Sequence, residues 1–222
     1  MNYIENIYIC LAAPVLITII CLQETRRRMV FFFAGMTVCL LSSYISTFLA
    51  LVQQLDFLTA SLTIVPVVEE VMKFLPFLFY LLVFEPEREK TTSEILMIAV
   101  GFATFENVCY MTQNGAAQAL QLLIRGFGTG TMHVVCGAIV GLGIYYLWDR
   151  IWIRAAGTMG LVSLAITYHS IYNLLVSQTG IPAMAGFLIP SLTVILYSIF
   201  GRRILKNSLR KHNLTRFENQ TG

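Results

Sequence analysis

The chain has 222 residues, of which 57% are hydrophobic and only 12% are charged, and its formal net charge is +3. Water-soluble domains carry about 25% charged residues, so this composition excludes an ordinary soluble globular protein. The five cysteines all lie in apolar stretches and no two form a Cys-x-x-Cys pair, so a disulfide framework is not expected.

Apolar segments of membrane-spanning length follow one another along the whole chain. A helix needs about 20 apolar residues to cross the hydrocarbon core of a bilayer. Seven segments meet this requirement, at 3–22, 29–52, 57–84, 94–112, 121–148, 152–177 and 182–200. No low-complexity linker or fixed-period repeat interrupts them. The sequence therefore predicts an all-α fold, a polytopic membrane helical bundle of about seven transmembrane helices, in a single domain covering residues 1–222.

The basic residues predict the orientation of this bundle. Apart from Lys73 and Arg125, which lie within spans, the 15 Lys and Arg residues fall in alternate connections and in the tail 201–222. Because basic residues mark the cytoplasmic side, the N-terminus is expected outside and the C-terminus inside. The basic cytoplasmic tail is expected to lie against anionic lipid, and it lacks the interleaved aromatic residues of a nucleic-acid site. Arg125, near the outer edge of its span, is expected to reach the headgroups.

Four of the spans carry ionisable or amide side chains near their middle. A charged or imidazole group inside a membrane costs several kcal/mol unless it is paired or hydrated, so such residues mark functional sites by default. Measured from the predicted outer edge at 1.5 Å per residue, the depths of Glu69, Glu106, His133 and His169 are roughly 9 to 18 Å. We therefore expect them to meet in one layer of the outer half of the membrane. The set is Glu69, Glu70 and Lys73 in the third span, Glu106 in the fourth, His133 in the fifth, and His169 and Asn173 in the sixth.

The spacing within two of these spans supports a common cavity. His169 and Asn173 are four residues apart and share a helix face. Glu69 and Glu70 are separated by about 100° around the helix axis, so one can face the cavity while the other pairs with Lys73. Two adjacent carboxylates in a low-dielectric site are not both expected to be ionised without a partner.

The polar residues form four motifs in chain order. They are Glu-Glu-x-x-Lys at 69–73, Phe-x-x-x-Glu-Asn at 102–107, His-x-x-x-Gly at 133–137 and His-x-x-x-Asn at 169–173. In these motifs the chain resembles the PrsW family of intramembrane proteases, which is related to the CAAX-processing and bacteriocin-processing membrane endopeptidases. The resemblance implies a multi-pass endopeptidase of a bacterial or archaeal cell membrane, which hydrolyses a peptide bond of a membrane-spanning protein. In the best-known branch, the substrate is a single-pass anti-sigma factor, cut at site 1.

Two mechanisms are compatible with the candidate catalytic residues Glu69, Glu70, Glu106, His133, His169 and Asn173. With zinc or another divalent metal, Glu106, His133 and His169 would be the ligands, and Glu69 or Glu70 would deprotonate the bound water. Without a metal, a glutamate of the pair and one histidine would activate water directly. His169 and Asn173 would then stabilise the oxyanion. The sequence leaves both mechanisms open.

The main alternative function is a proton- or ion-coupled transporter or channel, because acidic and histidine side chains inside a membrane also form proton relays. Two related halves would favour it, and the sequence contains none. Other protease chemistries fit less well. No His-Glu-x-x-His stretch is present, and the two aspartates, Asp56 and Asp149, lie at span ends.

Overall fold

The computed structural model of the chain describes residues 26–84, 88–114, 124–147, 151–197 and 199, and within them it is helical, without strands. Helices α1 to α3 form the first half, and a π-helical turn leads directly into α4. The bounds are α1 Arg26–Val52, α2 Phe57–Phe84, α3 Arg88–Asn114, the π-turn Gly126–Gly130, α4 Thr131–Tyr146, α5 Ile151–Val176 and α6 Ile181–Leu196.

The helices confirm the all-α membrane architecture. Four helical stretches of the described residues are long and apolar enough to cross a membrane, and Ile181–Leu196 is a shorter apolar helix. Helix α2 has 28 residues but carries three charged residues in its middle, which excludes it from that group. The predicted first span (3–22) and the tail (201–222) lie outside the described residues. A count of seven and the orientation therefore stay predictions. The four stretches are Arg26–Val52, Thr91–Gln113, Gly126–Tyr146 and Ala156–Val176.

Helices α1 and α3 approach each other through two glycines. A Cβ atom on Gly35 would lie 2.1 Å from the carbonyl oxygen of Ile98, and one on Gly101 would lie 2.0 Å from that of Phe32. Neither position has room for a side chain. Small residues of this kind allow membrane helices to pack backbone against backbone, since lipid provides no hydrophobic drive for association.

Helix α4 lies between α3 and α5 and forms the centre of the described bundle. Cβ atoms on Gly137 and Gly141 would lie 2.8 Å from Cβ of Ala99 and 2.5 Å from Cγ2 of Ile95, respectively. On the opposite side, the thiol of Cys136 donates to the carbonyl oxygen of Ala165 at 3.5 Å. Because α4 is enclosed in this way, the side chain of His133 near its start is fully buried among the helices.

Helix α2 begins with an aspartate cap and continues through two prolines, Pro66 and Pro76. Asp56 precedes its first residue and accepts hydrogen bonds from the backbone N–H of Thr59 at 2.9 Å and from its hydroxyl at 2.7 Å. These bonds, that of the backbone N–H first, lower the pKa of Asp56 below its ordinary value. The predicted position of Asp56 at a span end is confirmed.

Candidate active site

Four helices bring their ionisable side chains together inside the bundle. Helix α2 contributes Glu69, Glu70 and Lys73, and α3, α4 and α5 contribute one residue each. The rings of His133 and His169 lie 5.1 Å apart, centroid to centroid, at an angle of 87°. These residues therefore form one cluster, as their depth along the spans predicts. The three single contributions are Glu106, His133 and His169.

One part of the cluster is an ion-pair network centred on Glu70. Its Oε1 atom accepts a hydrogen bond from Nζ of Lys73 at 2.6 Å and another from Nδ1 of His169 at 2.8 Å. All three side chains are buried, with at most 6% of any of them exposed. Because Nδ1 of His169 faces a carboxylate, it carries a proton, and in the neutral form of the ring Nε2 keeps the lone pair.

The network continues through His133 to Glu106. Nδ1 of His133 lies 2.9 Å from Nζ of Lys73, and its Nε2 lies 2.5 Å from Oε2 of Glu106. An ammonium group only donates hydrogen bonds, so Nδ1 must accept and the ring proton resides on Nε2, facing the carboxylate. The ring of Phe102 supports both partners, 4.9 Å from the His133 ring and 4.8 Å below Nζ of Lys73.

The position of Arg125 corrects the expectation that it reaches the headgroups. Its Nη2 atom donates to Oε1 of Glu106 at 2.8 Å, and its guanidinium group lies 3.9 Å from the ring centre of Tyr110. Glu106 therefore has a cation on one oxygen and an imidazole on the other. This pair has no direct signal in the sequence, since 19 residues separate its members. An arginine within a span was the one available signal.

Glu69 differs from the other two glutamates in its surroundings. Among the described residues, Glu70 pairs with Lys73 and Glu106 with Arg125, whereas the ion-pair contact of Glu69 is with Nε2 of His169, at 3.9 Å from its Oε2. Its side chain is 13% exposed. The expected division of the pair is therefore observed in the geometry, with Glu70 bound to the lysine and Glu69 facing open space.

Two cavities border Glu69 and Glu106. The first, of about 440 Å³, is polar and lies between α2, α3, α5 and α6, with Arg125 and Asn173 in its wall. The second, of about 490 Å³, is largely apolar and lies between α1 and α3. Glu69 and Glu106 can thus be reached from two directions.

Asn173 lies in the wall of the polar cavity, on the same face of α5 as His169, as its spacing predicts. Its Nδ2 atom donates to the carbonyl oxygen of Ser61 at 2.8 Å, which joins α5 to α2. Thr129 and Tyr172, whose hydroxyl oxygens lie 2.7 Å apart, also line this cavity. Neither belonged to the predicted set, since lone hydroxyl groups in a membrane helix give no distinctive pattern.

A divalent metal would find three donors here, from Glu69, His133 and His169, whose ligand atoms all lie within 4.8 Å of one another. This group contains Glu69 where the sequence-based ligand set has Glu106, which contacts His133 instead. One carboxylate and two imidazoles match catalytic zinc sites that leave a position for water. The carboxylate of Glu70 orients His169 as second-shell carboxylates orient metal-bound histidines.

The hydrogen bond between Lys73 and His133 determines which of these three donors is available to a metal. Since Nδ1 of His133 accepts from the ammonium group, Nε2 holds a proton and has no lone pair for a metal. The arrangement thus fits a metal at Glu69 and His169. It fits one at His133 only after Lys73 releases Nδ1.

Fold and site together define a class, a multi-pass helical membrane protein with a buried glutamate–histidine cluster that can be reached from cavities. Comparison with known families agrees with this class. The chain matches the family model described as "PrsW family intramembrane metalloprotease" over residues 24–200. The match covers most of the sequence, and the chain belongs to the PrsW family of intramembrane proteases. Nothing in the family supports the transporter alternative.

Comparison with curated proteins adds a more distant similarity. The chain is 28% identical, over 123 residues, to a phospho-N-acetylmuramoyl-pentapeptide-transferase of Pelobacter propionicus. The similarity covers 52% of this chain and 34% of that protein, so the matched region is about a third of the relative's length. The transferase activity in that name is a property of the relative. No solved structure matches the chain.

Proposed function

We propose that the protein is an endopeptidase that hydrolyses a peptide bond of a membrane-spanning protein substrate, and that Glu69 is its general base. The observation that carries this proposal is the position of Glu69. It borders both cavities and lies 3.9 Å from Nε2 of His169, while Glu70 and Glu106 are held by Lys73 and Arg125. A carboxylate without a bound cation is the one that can accept a proton.

A water molecule between Glu69 and His169 is the proposed nucleophile. The 3.9 Å between Oε2 and Nε2 accommodates one water that donates a hydrogen bond of about 2.8 Å to each atom. Glu69 removes one proton as the water oxygen bonds to the scissile carbonyl carbon. His169, oriented by Glu70, holds the other hydrogen. When the tetrahedral intermediate collapses, the C–N bond breaks and Glu69 returns its proton to the leaving amine.

The negative oxygen of the intermediate requires a donor in the same cavity. Nδ2 of Asn173 has two hydrogens and donates one of them to Ser61, so the second is available to the oxyanion. The remaining members of the ion-pair network hold the reacting residues in place. They are Glu70, Lys73, Glu106, Arg125 and His133. A divalent metal held by Glu69 and His169 would instead supply Lewis-acid polarisation of the water, and Glu69 would then be a ligand and no longer the free base.

The resemblance to the family supports the proposed substrate class, and the distribution of charge supports the proposed membrane topology. The proposed substrate is a single-pass anti-sigma-factor-like protein, cut at site 1 near the outer face of a bacterial or archaeal cell membrane. The enzyme is proposed to be one domain over residues 1–222 with about seven spans, the N-terminus outside, and a basic cytoplasmic tail at 201–222. Reporter fusions at each connection test the topology.

The test of hydrolysis uses purified protein in liposomes with a fluorescent single-pass peptide. Wild-type protein should release a fragment of defined mass, and Glu69→Gln should not. Metal content, measured on the same preparation by mass spectrometry, and activity after dialysis against a chelator separate the two mechanisms. Metal-free protein at full activity supports direct activation by Glu69 and His169. Loss of activity restored by zinc supports metal assistance. Wild-type protein without any cleavage of single-pass peptides contradicts the proposal.

A further inference from the structure

Helices α1 and α3 are clamped together along one part of their length. Nε of Arg27 lies 2.8 Å from Oε1 of Glu94, which is fully buried. About one and a half to two turns further along α1, the contacts at Gly35 and Gly101 leave no room for a Cβ atom between the two backbones. The pair is therefore fastened in the half of the bundle that includes the start of α1.

Beyond this clamp the same two helices form the walls of the apolar cavity, which we name the α1/α3 groove. Its lining includes Cys39, Ser43 and Thr47 of α1 and Cys109 and Gln113 of α3. On α1 the lining residues extend from Cys39 to Leu51, which corresponds to about 18 Å along the helix axis. The groove is long enough for about five residues of extended peptide.

The groove leads to the proposed base. Glu69 and Glu106 belong to its lining and also to that of the polar cavity, so the two spaces meet at the same carboxylates from different sides. A molecule that occupies the groove would contact Glu69 from α1 and α3, whereas water in the polar cavity would reach it from α5 and α6. Substrate and water thus have separate routes to one position.

The chemistry of the groove favours a peptide as its occupant. Peptide N–H and C=O groups that leave a helix inside a membrane must find other partners, because lipid offers none. Ser43 and Thr47 donate their hydroxyl hydrogens to Leu40 and Ser43 carbonyl groups, which leaves oxygen lone pairs to accept from a substrate N–H. Gln113 adds an amide. An acyl chain would use none of these groups, and Glu69 and Glu106 at one side would repel an anionic headgroup.

We propose that the α1/α3 groove is the site at which the membrane-spanning segment of the protein substrate binds, partly unwound, with its scissile bond beside Glu69. This inference rests on the proposed proteolytic function and adds the route and conformation of the substrate. The apolar walls bind the side chains of the segment. The hydroxyl and amide groups bind its backbone where the helix opens.

Photo-crosslinking tests the groove directly. Benzoylphenylalanine is introduced at Ser43 or Thr47 in a Glu69→Gln background, in liposomes that contain a fluorescent single-pass peptide of about 20 apolar residues. The matched control carries it at Ser163, an exposed α5 residue whose hydroxyl donates to the carbonyl oxygen four residues earlier, as that of Thr47 does. Groove positions should label the peptide at least about fivefold more than the control, and unlabelled peptide should compete. Equal labelling, or labelling of phospholipid alone, would overturn the inference.

A kinetic experiment separates failure of the groove from failure of the protease assignment. Ser43→Trp fills the groove and should raise KM for the single-pass peptide about tenfold, while kcat changes less than about threefold. Ser163→Trp should leave both constants unchanged. If Ser43→Trp cleaves normally with an unchanged KM, the groove is not the substrate site, and the protease assignment stands. Peptide crosslinked at Ser43 without cleavage by wild-type protein supports the groove and contradicts proteolysis.

Discussion

The cluster has two sides that share a helix and differ in how their charges are satisfied. On the paired side, Glu70 has Lys73 and His169, and Glu106 has Arg125 and His133, all at 2.8 Å or less. On the open side, Glu69 faces two cavities, with His169 at 3.9 Å. Adjacent positions on one helix thus serve different purposes. On the paired side, the partner groups offset the free-energy cost of burying the two carboxylates. On the open side, a carboxylate stays available to accept a proton.

The largest expected effect comes from removing the charge on the open side. Glu69→Gln keeps the size and polarity of the side chain but cannot accept a proton, so the cleavage rate should fall by about 10³-fold or more. Unfolding in a denaturing-detergent titration should be unchanged, because no cation loses its partner. Cleavage by Glu69→Gln at a rate within tenfold of wild type would remove Glu69 from the role of base.

The paired side should respond in stability. Lys73→Met leaves Glu70 as a buried carboxylate without its cation, a change that costs about 3–5 kcal/mol in comparable buried pairs. Adding Glu70→Gln to Lys73→Met should recover half or more of that loss, since both charges are then absent. Unfolding titrations of the two single variants and the double variant form the cycle. Additive losses would show that the pair is not coupled.

The fold and the location of the site were predictable, because membrane spans and polar residues within them are properties of single helices. Hydropathy located α1 to α6, and depth along the spans placed Glu106, His133 and His169 in one layer. The contacts of Arg125 were not predictable, since they depend on how α3 and the π-turn are rotated relative to each other. The assignment of Glu70, not Glu69, to Lys73 required the same information, which only the packing of helices provides.

A smaller effect is expected at Arg125, on the edge of the paired side. Arg125→Gln removes the cation from one oxygen of Glu106 while His133 still holds the other, so cleavage should fall about tenfold with little loss of folded protein. Arg125→Lys restores the charge without the planar contact to Tyr110 and should recover part of the rate. Equal rates in wild type and Arg125→Gln would show that Glu106 is held by His133 alone.

The smallest effect is expected outside the cluster, at the start of α2. The pKa of Asp56 is lowered in the folded protein, so its ionised carboxylate stabilises the helix start most fully at pH values above the ordinary pKa of an aspartate. This contribution is lost as the pH falls through the lowered pKa. Asp56→Ala should lower Tm by about 1–2 °C at pH 6 and by less at pH 3. A difference independent of pH would show that the carboxylate charge does not contribute to the cap.

The most direct measurement is the ratio of the cleavage rates of Glu69→Gln and Glu70→Gln, each per folded molecule, on the same single-pass peptide. The amide oxygen of Glu70→Gln can still accept from His169, so this variant should keep about a tenth of the wild-type rate, whereas Glu69→Gln should fall below about a thousandth. The opposite order, with folded Glu70→Gln inactive and Glu69→Gln active, would contradict the assignment of Glu69 as the base.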